Sequence, residues 1–316
     1  MKLATFKTDG THAAPTWGVV REGVLLDLPA VARMLGQHLD CSFLTGIDSV
    51  RKLLQVPDGL SRLRELLDRI DEQAPPDALR QLEAGISGAQ LYPPVPDAGK
   101  FLCVGKNYRA HLEELKRNDL LKEQPAEPTG FIKLTQTMVG HCARVARPEG
   151  ITTLDYEPEL AFVIGSPGFR ISRENAMRHV AGITLFNDLT AREIQKREVA
   201  SGTRFWTAKN MPGFGPVGPF LVTMDEISDP HDLWLTLSVN GEQRIRVNTG
   251  DQIFHIPDII EHFSRYLPLD AGDQFSTGAP GGVAVGQPNA EELYLKPGDT
   301  VEVGIEGIAK LTTYIV

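Results

Sequence analysis

The sequence predicts an α+β fold in which β-sheet dominates, preceded by a small N-terminal unit that is also α+β. Beyond Lys100 the chain is a series of short β-rich runs punctuated by glycine and proline. The few helical stretches do not alternate regularly with these runs, as they would in a doubly wound fold. Before that point, residues 92–99 contain three prolines within four positions, which neither a helix nor a central strand accommodates. We therefore place the domains at 1–95 and 96–316.

Each element follows from a local pattern. Apolar runs at 17–20 and 23–28, split by Arg21 and Glu22, predict a hairpin. Leucines and one isoleucine at helical spacing predict an amphipathic helix between residues 60 and 70. Helices are also predicted after Tyr108, Thr190 and Pro257. The strands predicted in the larger domain are 101–104, 160–164, 182–186, 220–222, 233–239 and 301–305.

Composition excludes several classes of protein. Among 316 residues, 32 Lys and Arg face 41 Asp and Glu, so no cationic excess is available to replace the counterions of a nucleic acid. No apolar run reaches the roughly 18–20 residues that cross a bilayer, and the first residues do not build a signal-peptide core. The three cysteines are widely spaced and form neither a disulfide framework nor a metal motif. We expect a cytoplasmic protein with no nucleic-acid or membrane partner.

Three carboxylates form a candidate metal site. Side chains alternate along a strand, so Glu157 and Glu159 point the same way. Asp188 follows the next predicted strand, and Thr190 with Glu193 reads as a capping box that leaves Asp188 free. All-oxygen ligands suit Mg²⁺ first and Mn²⁺ or Ca²⁺ next, whereas zinc prefers histidine or cysteine. The alternative is two surface glutamates and an N-capping aspartate.

Several segments, taken in order, resemble the fumarylacetoacetate hydrolase family. The likeness covers residues 100–316, and the N-terminal unit also resembles that of bacterial members. The segments are CVGKNYRAHLEE at 103–114, DYEPEL at 155–160, NDLTARE at 187–193, Lys209 with PVGP at 216–219, VNGE at 239–242, GDQFSTGAPGG at 272–282 and KPGD at 296–299.

The resemblance implies a mixed β-roll catalytic domain, a homodimer, and Mg²⁺ or Mn²⁺ held by carboxylates. It implies a metal-dependent hydrolase that cuts a C–C bond in an acylpyruvate-like 1,3-dicarbonyl 2-oxo acid, from aromatic or sugar-acid catabolism. Relatives instead decarboxylate, dehydrate or tautomerise similar acids, so those reactions are the first alternative. A non-catalytic metal and ligand binder that kept the fold is the second.

The resemblance also implies a role for each matching residue. The metal ligands are Glu157, Glu159 and Asp188, and the catalytic residues are His111, Glu114 and Lys209. The implied substrate-binding residues are Lys106, Tyr108, Arg192, Gln195, Thr277 and Gly278. Two positions depart from the family pattern: Ala279 replaces a threonine near the substrate carboxylate, and Asn210 begins a stretch that lacks a common aspartate. Both departures concern the identity of the substrate more than metal binding.

Three of these predictions have a plainer alternative. His111 and Glu114 lie three apart in a predicted helix and share one face, where the carboxylate can orient an imidazole that deprotonates water. They can equally be a surface pair. Arg192 and Gln195 have the same spacing and either grip a substrate carboxylate or are exposed on the helix. The charged segment 116–128 is either a lid over the site or a solvated helix and turn.

Overall fold

The computed structural model describes residues 1–8, 14–117, 125–203 and 206–316. Within them the chain forms nineteen β-strands and eight α-helices, which is the sheet-dominated α+β fold that the sequence predicts. Among the described residues, no helix combines the length and the apolar character needed to span a membrane.

The first ninety residues form a hairpin, further short strands and four helices. The elements are β1 (Lys2–Thr8), β2 (Thr16–Arg21), β3 (Val24–Asp27), α1 (Leu28–Leu35), α2 (Val50–Gln55), α3 (Gly59–Gln73), α4 (Pro76–Leu82), β4 (Glu83–Gly85) and β5 (Ala89–Leu91). The predicted hairpin corresponds to β2 and β3 and the amphipathic helix to α3, so both predictions are confirmed.

The remaining elements are mostly strands. They are β6 (Phe101–Gly105), α5 (Arg109–Arg117), β7 (Thr129–Ile132), β8 (Met138–Val139), β9 (Ala143–Val145), β10 (Leu154–Asp155), β11 (Pro158–Ile164), β12 (Val180–Asn187), β13 (Thr190–Ala191), α6 (Arg192–Ala200), β14 (Gly215–Thr223), β15 (Trp234–Val239), β16 (Glu242–Asn248), α7 (Ile256–Ser264), β17 (Gln274–Ser276), α8 (Ala290–Leu293), β18 (Thr300–Ile305) and β19 (Ala309–Ile315). Every strand and helix predicted in this part is present, with bounds that differ by a few residues at most ends.

Two sheets pack against each other. The larger is mixed and runs in the order β4-β3-β2-β1-β14-β12-β11-β17-β6-β7, with β5 beside β1 and β8 beside β14. The smaller has the order β16-β15-β18-β19-β9. Strands β11, β12 and β14 contact β15, β18 and β19, and the main hydrophobic core, which includes Leu160, Phe162, Leu237 and Val303, lies between the sheets.

Strands β11 and β12 are buried along their whole length because both faces of the larger sheet are covered. Leu160 and Phe162 point into the main core. Val163, on the opposite face, joins a second hydrophobic core that is built mostly from residues 3–98 and is called the N-terminal core below. A strand covered on both sides has a continuous apolar sequence, as residues 160–164 (LAFVI) do. Pro158 begins β11, a position where its missing N–H is tolerated.

The two parts of the chain share the larger sheet. Strand β1 pairs with β14, where Leu3 lies opposite Leu221. The N-terminal core likewise includes Val163, Ala181 and Leu221 from the later part of the chain. The boundary between residues 95 and 96 stays a prediction. It lies in a stretch without helix or strand that follows β5.

The predicted capping box at Thr190 is wrong. Helix α6 begins at Arg192 after Ala191, whose side chain makes no capping bond, and the hydroxyl of Thr153 accepts the N–H of Glu193 at 3.0 Å. Thr190 instead pairs with Asp155 between β10 and β13, and its hydroxyl donates to the carbonyl of Asp188 at 2.8 Å. Strand pairing therefore outcompetes local capping here. The proposed lid at 116–128 lies largely outside the described residues, since 118–124 are not among them.

Candidate active site

Glu157, Glu159 and Asp188 come together at one end of the central strands. Because β11 and β12 are antiparallel and Pro158 lies opposite Asn187, the start of one strand adjoins the end of the other. Backbone contacts fix the corner: the N–H of Asp188 donates to the carbonyl of Glu157 at 2.9 Å. One carboxylate oxygen from each acid lies within 4.8 Å of the others, and all three residues are at least 95% buried. The alternative of surface glutamates is therefore wrong.

Buried cations surround two of these acids. Lys209 Nζ donates to Glu157 at 2.5 Å and to Asp188 at 2.6 Å. Arg192 contacts Glu157 at 2.6 Å, and Lys133 contacts Asp188 at 2.6 Å. Burial opposes ionisation of Glu157, but Lys209 and Arg192 outweigh it and lower the pKa of Glu157 to about 2.

Glu159 has a different environment. Its carboxylate accepts the N–H of Gly278 at 2.8 Å, and no lysine or arginine of the described residues forms an ion pair with it within 4 Å. Burial, reinforced by the negative charges of Asp188 and Glu157, raises the pKa of Glu159 well above its ordinary value. A carboxylate that no lysine or arginine in the described part of the chain contacts directly, beside two other carboxylates, fits a hard divalent cation. Three such ligands leave room in the cation's coordination shell for substrate and water.

His111 and Glu114 form a buried pair on α5. The two residues are 5% and 6% exposed, so the alternative of a surface pair is wrong. His111 Nδ1 lies 3.4 Å from one carboxylate oxygen of Glu114, as the three-residue spacing predicts. The other oxygen accepts the N–H of Gly282 at 2.8 Å and the amide of Gln287 at 3.2 Å.

One pocket joins His111 to the three acids. It encloses about 450 Å³ of space that no protein atom fills, part of which opens to solvent. The residues that line it are Val104, Gly105, Lys106, His111, Phe131, Glu157, Glu159, Asp188, Arg192, Gln195, Lys209 and Ala279. An imidazole, three carboxylates and three cationic side chains therefore face a common space.

The predicted substrate-binding residues divide into two groups. Lys106, Arg192 and Gln195 line the pocket, and the last two are 1% and 4% exposed, so the alternative that they lie on the helix surface is wrong. Arg192 also donates to Gln195 at 2.9 Å and to Asp155 at 2.7 Å. These contacts hold its guanidinium in the floor of the site.

Tyr108, Thr277 and Gly278 lie behind the pocket wall and are not among the residues that line it. The amide of Gln252 donates to the hydroxyls of Tyr108 at 3.1 Å and of Thr277 at 2.9 Å. Gly278 contributes its N–H to Glu159. Their binding of substrate stays a prediction.

Sequence reasoning missed Lys133 and Asp155. Lys133 follows β7 and is 1% exposed, and its ammonium also donates to the carbonyl of Phe214 at 3.0 Å. Asp155 anchors Arg192 and accepts the N–H groups of Ala284 and Val285 at 2.9 and 3.0 Å. A lone lysine among apolar residues carries no local signal. Asp155 did have a local signal in the sequence, because it belongs to the same short motif as Glu157, DYEPEL at 155–160.

Comparison with known proteins shows a family match and several similar proteins. Residues 100–316 match the family model described as fumarylacetoacetate (FAA) hydrolase C-terminal. The oxaloacetate tautomerase YisK of Bacillus subtilis is 39% identical over 243 residues, which cover 76% of this chain and 78% of that protein. The mitochondrial oxaloacetate tautomerase fahd2 of Xenopus laevis is 35% identical over 260 residues, which cover 81% and 78% of the two chains.

A solved structure has the same fold over the full length. The fumarylacetoacetate hydrolase of the psychrophile Exiguobacterium antarcticum is 31% identical and superimposes with a TM-score of 0.73. The match covers 100% of this chain and 99% of that one. The fold that the resemblance implied is therefore confirmed, in the N-terminal part as well as beyond residue 100.

Proposed function

Because this chain belongs to the fumarylacetoacetate hydrolase family, we propose that it is a divalent-metal-dependent enzyme that interconverts the keto and enol forms of a short 2-oxo acid of the oxaloacetate type. The observation that carries the proposal is that His111, backed by Glu114, lines the same pocket as Glu157, Glu159 and Asp188. Enolisation beside a carbonyl requires a proton-transfer group and a centre of positive charge in one place.

Two relatives support tautomerisation in particular. The proteins from Bacillus subtilis and Xenopus laevis are both named oxaloacetate tautomerases, and each aligns with more than three quarters of this chain. Tautomerisation moves protons on the substrate and needs no water nucleophile.

Glu157, Glu159 and Asp188 would hold Mg²⁺ or Mn²⁺. When bound, the cation supplies positive charge that polarises the 2-oxo group. His111 takes a proton from the carbon next to that group. The C–H bonding pair forms a C=C bond, the C=O π pair moves to the carbonyl oxygen, and the protonated imidazole returns the proton to that oxygen. Glu114 orients the imidazole through Nδ1 and leaves Nε2 to exchange the proton.

Lys209 contributes fixed positive charge. Burial alone would favour the neutral amine, but Asp188 and Glu157 raise the pKa of Lys209 above its ordinary value, so its ammonium persists. Hydrogen bonds to Glu157, Asp188 and Thr190 hold the ammonium at the pocket wall. The negative charge that develops on substrate oxygen is stabilised by such a preorganised cation.

C–C bond hydrolysis of an acylpyruvate is the second candidate. The buried pair of His111 and Glu114 is also suited to deprotonate a water molecule next to the polarised carbonyl. Decarboxylation or dehydration of a related 2-oxo acid would use the same residues to move a proton. The homodimer that the resemblance implies stays a prediction, which light scattering of the purified protein tests.

The test follows the enol absorbance of oxaloacetate with purified protein and Mg²⁺ or Mn²⁺. We expect wild type to accelerate keto–enol interconversion and His111→Ala to lose about 10²–10⁴-fold of that rate. His38→Ala, which removes an exposed histidine, is the matched control and should have no effect. Asp188→Ala should abolish metal binding in calorimetry.

Three results would contradict the proposal. Cleavage of acylpyruvates without any effect on oxaloacetate, with label from ¹⁸O-water entering a new carboxylate, would favour the hydrolase. Binding of 2-oxo acids with no turnover would favour a non-catalytic protein. Full activity of Asp188→Ala in EDTA would refute the metal site.

A further inference from the structure

The loop that follows β17 contacts the carboxylate of Glu114, the group that also faces His111. One oxygen, Oε1, accepts the backbone N–H of Gly282 at 2.8 Å and the side-chain amide of Gln287 at 3.2 Å. The other oxygen, Oε2, lies 3.4 Å from Nδ1 of His111. The two donors thus occupy Oε1 and turn Oε2 towards the imidazole.

Glycines let this loop approach closely. A Cβ atom built on Gly286 would lie 2.5 Å from the carboxyl carbon of Glu114 and 2.7 Å from Oε2. A Cβ on Gly281 would lie 3.4 Å from Oε1. Gly286 does not have a positive φ, so the absence of its side chain matters for space and not for backbone conformation. The loop backbone therefore packs directly against the carboxylate.

We propose that residues 281–287, and Gln287 above all, form a positioning element that fixes Glu114 and thereby selects the tautomer of His111. With Oε2 aimed at it, Nδ1 of His111 carries the proton and Nε2 remains the acceptor that meets the substrate. Gln287 does not line the pocket, so it acts through Glu114 and is a positioning residue. The expected effect on turnover rests on the proposed function, but the tautomer of His111 can be tested without it.

The first experiment reads the imidazole directly. Protein labelled with ¹⁵N-histidine is studied by NMR with and without Mg²⁺, and the His111 signals are assigned by their loss in His111→Ala. We expect one tautomer, with the proton on Nδ1, in wild type and a mixture of both tautomers in Gln287→Leu. Identical His111 signals in wild type and Gln287→Leu would overturn the inference. This readout needs no substrate.

The second experiment uses a double-mutant cycle. Gln287→Leu should lower kcat about tenfold, with KM and the affinity for Mg²⁺ unchanged. In a Glu114→Ala background it should cause no further loss, because residues that act through one another are not additive. An equal loss in both backgrounds would overturn the inference.

Gly286→Ala provides a second variant that leaves Gln287 in place. Its new methyl group should displace the Glu114 carboxylate and reproduce the tautomer mixture. Gly88→Ala is the matched control, since nothing lies within 4 Å of the added atom. A normal tautomer in Gly286→Ala would count against the loop as the positioning element. Wild-type protein without turnover on any 2-oxo acid would refute the proposed function, yet the NMR result would still decide the inference.

Discussion

Replacing Lys133 with methionine tests whether buried lysines hold the acidic cluster together. Lys133 has a fully buried side chain, and its ammonium lies 2.6 Å from Asp188 and donates to the carbonyls of Lys209 and Phe214. Methionine keeps most of the length and removes the charge and the donors. Removing one partner of a buried ion pair costs about 3–5 kcal/mol when the other charge is left unpaired. Asp188 keeps Lys209 at 2.6 Å, so the lower figure, about 3 kcal/mol, applies here. We expect the free energy of unfolding of metal-free protein to fall by that amount.

Metal should recover part of this loss. A cation bound by Asp188 and its two neighbours replaces the missing positive charge, and a ligand that binds only the folded state stabilises it. The assay is urea unfolding followed by circular dichroism, in EDTA and in saturating Mg²⁺. Lys310→Met is the control, since Lys310 pairs with Glu302 at 3.1 Å and is 62% exposed; its loss should stay below about 1 kcal/mol. A Lys133→Met loss no larger than the control, or one that Mg²⁺ leaves unchanged, would refute the reasoning.

Two further predictions concern the elements around the site. The carboxylate of Glu193 accepts hydrogen bonds from the backbone N–H and the hydroxyl of Thr153. Burial opposes ionisation of this carboxyl group, but the hydrogen bonds outweigh burial and lower the pKa of Glu193 below 4.5. Its stabilising effect is therefore present above pH 4.5 and lost as pH falls through the folded-state pKa. Glu193→Gln should cost less than about 1 kcal/mol at pH 7, since solvent screens the group, and the gap to wild type should close below pH 4.5 in urea titrations; a constant gap contradicts this. Lys100 pairs at 2.7 Å with the fully buried carboxylate of Asp273, so Lys100→Met should lower the free energy of unfolding in urea by about 2 kcal/mol. Lys52 belongs to an exposed pair, and Lys52→Met should lower it little. Equal losses in the two variants would contradict the argument.

The strands were predictable from the sequence because burial leaves a local pattern. Residues 160–164 form an uninterrupted apolar run, and the structure covers both faces of that strand. The order of strands in the sheet had no such signal. Leu3 in β1 lies opposite Leu221 in β14, and the sequence of neither strand indicates which strand it pairs with. Thr190 shows the limit of local rules, since its pairing with Asp155 displaced the expected cap.

The acidic cluster was predictable for a geometric reason. Glu157 precedes one strand and Asp188 follows the next, and an antiparallel pair brings those two ends together. Lys133 could not be found in this way, because it reaches Asp188 from outside that strand pair. The contact of Gln287 with Glu114 joins residues 173 positions apart, and a single glutamine gives no hint of it.

The pairing of β1 with β14 separates the order of synthesis from the order of folding. Four residues from later in the chain help to cover the N-terminal core, namely Val163, Ala181, Leu221 and Ala271. A ribosome makes them long after the rest of that core. The N-terminal unit therefore carries uncovered apolar side chains and an edge of β1 without its β14 partner until those later residues have been made.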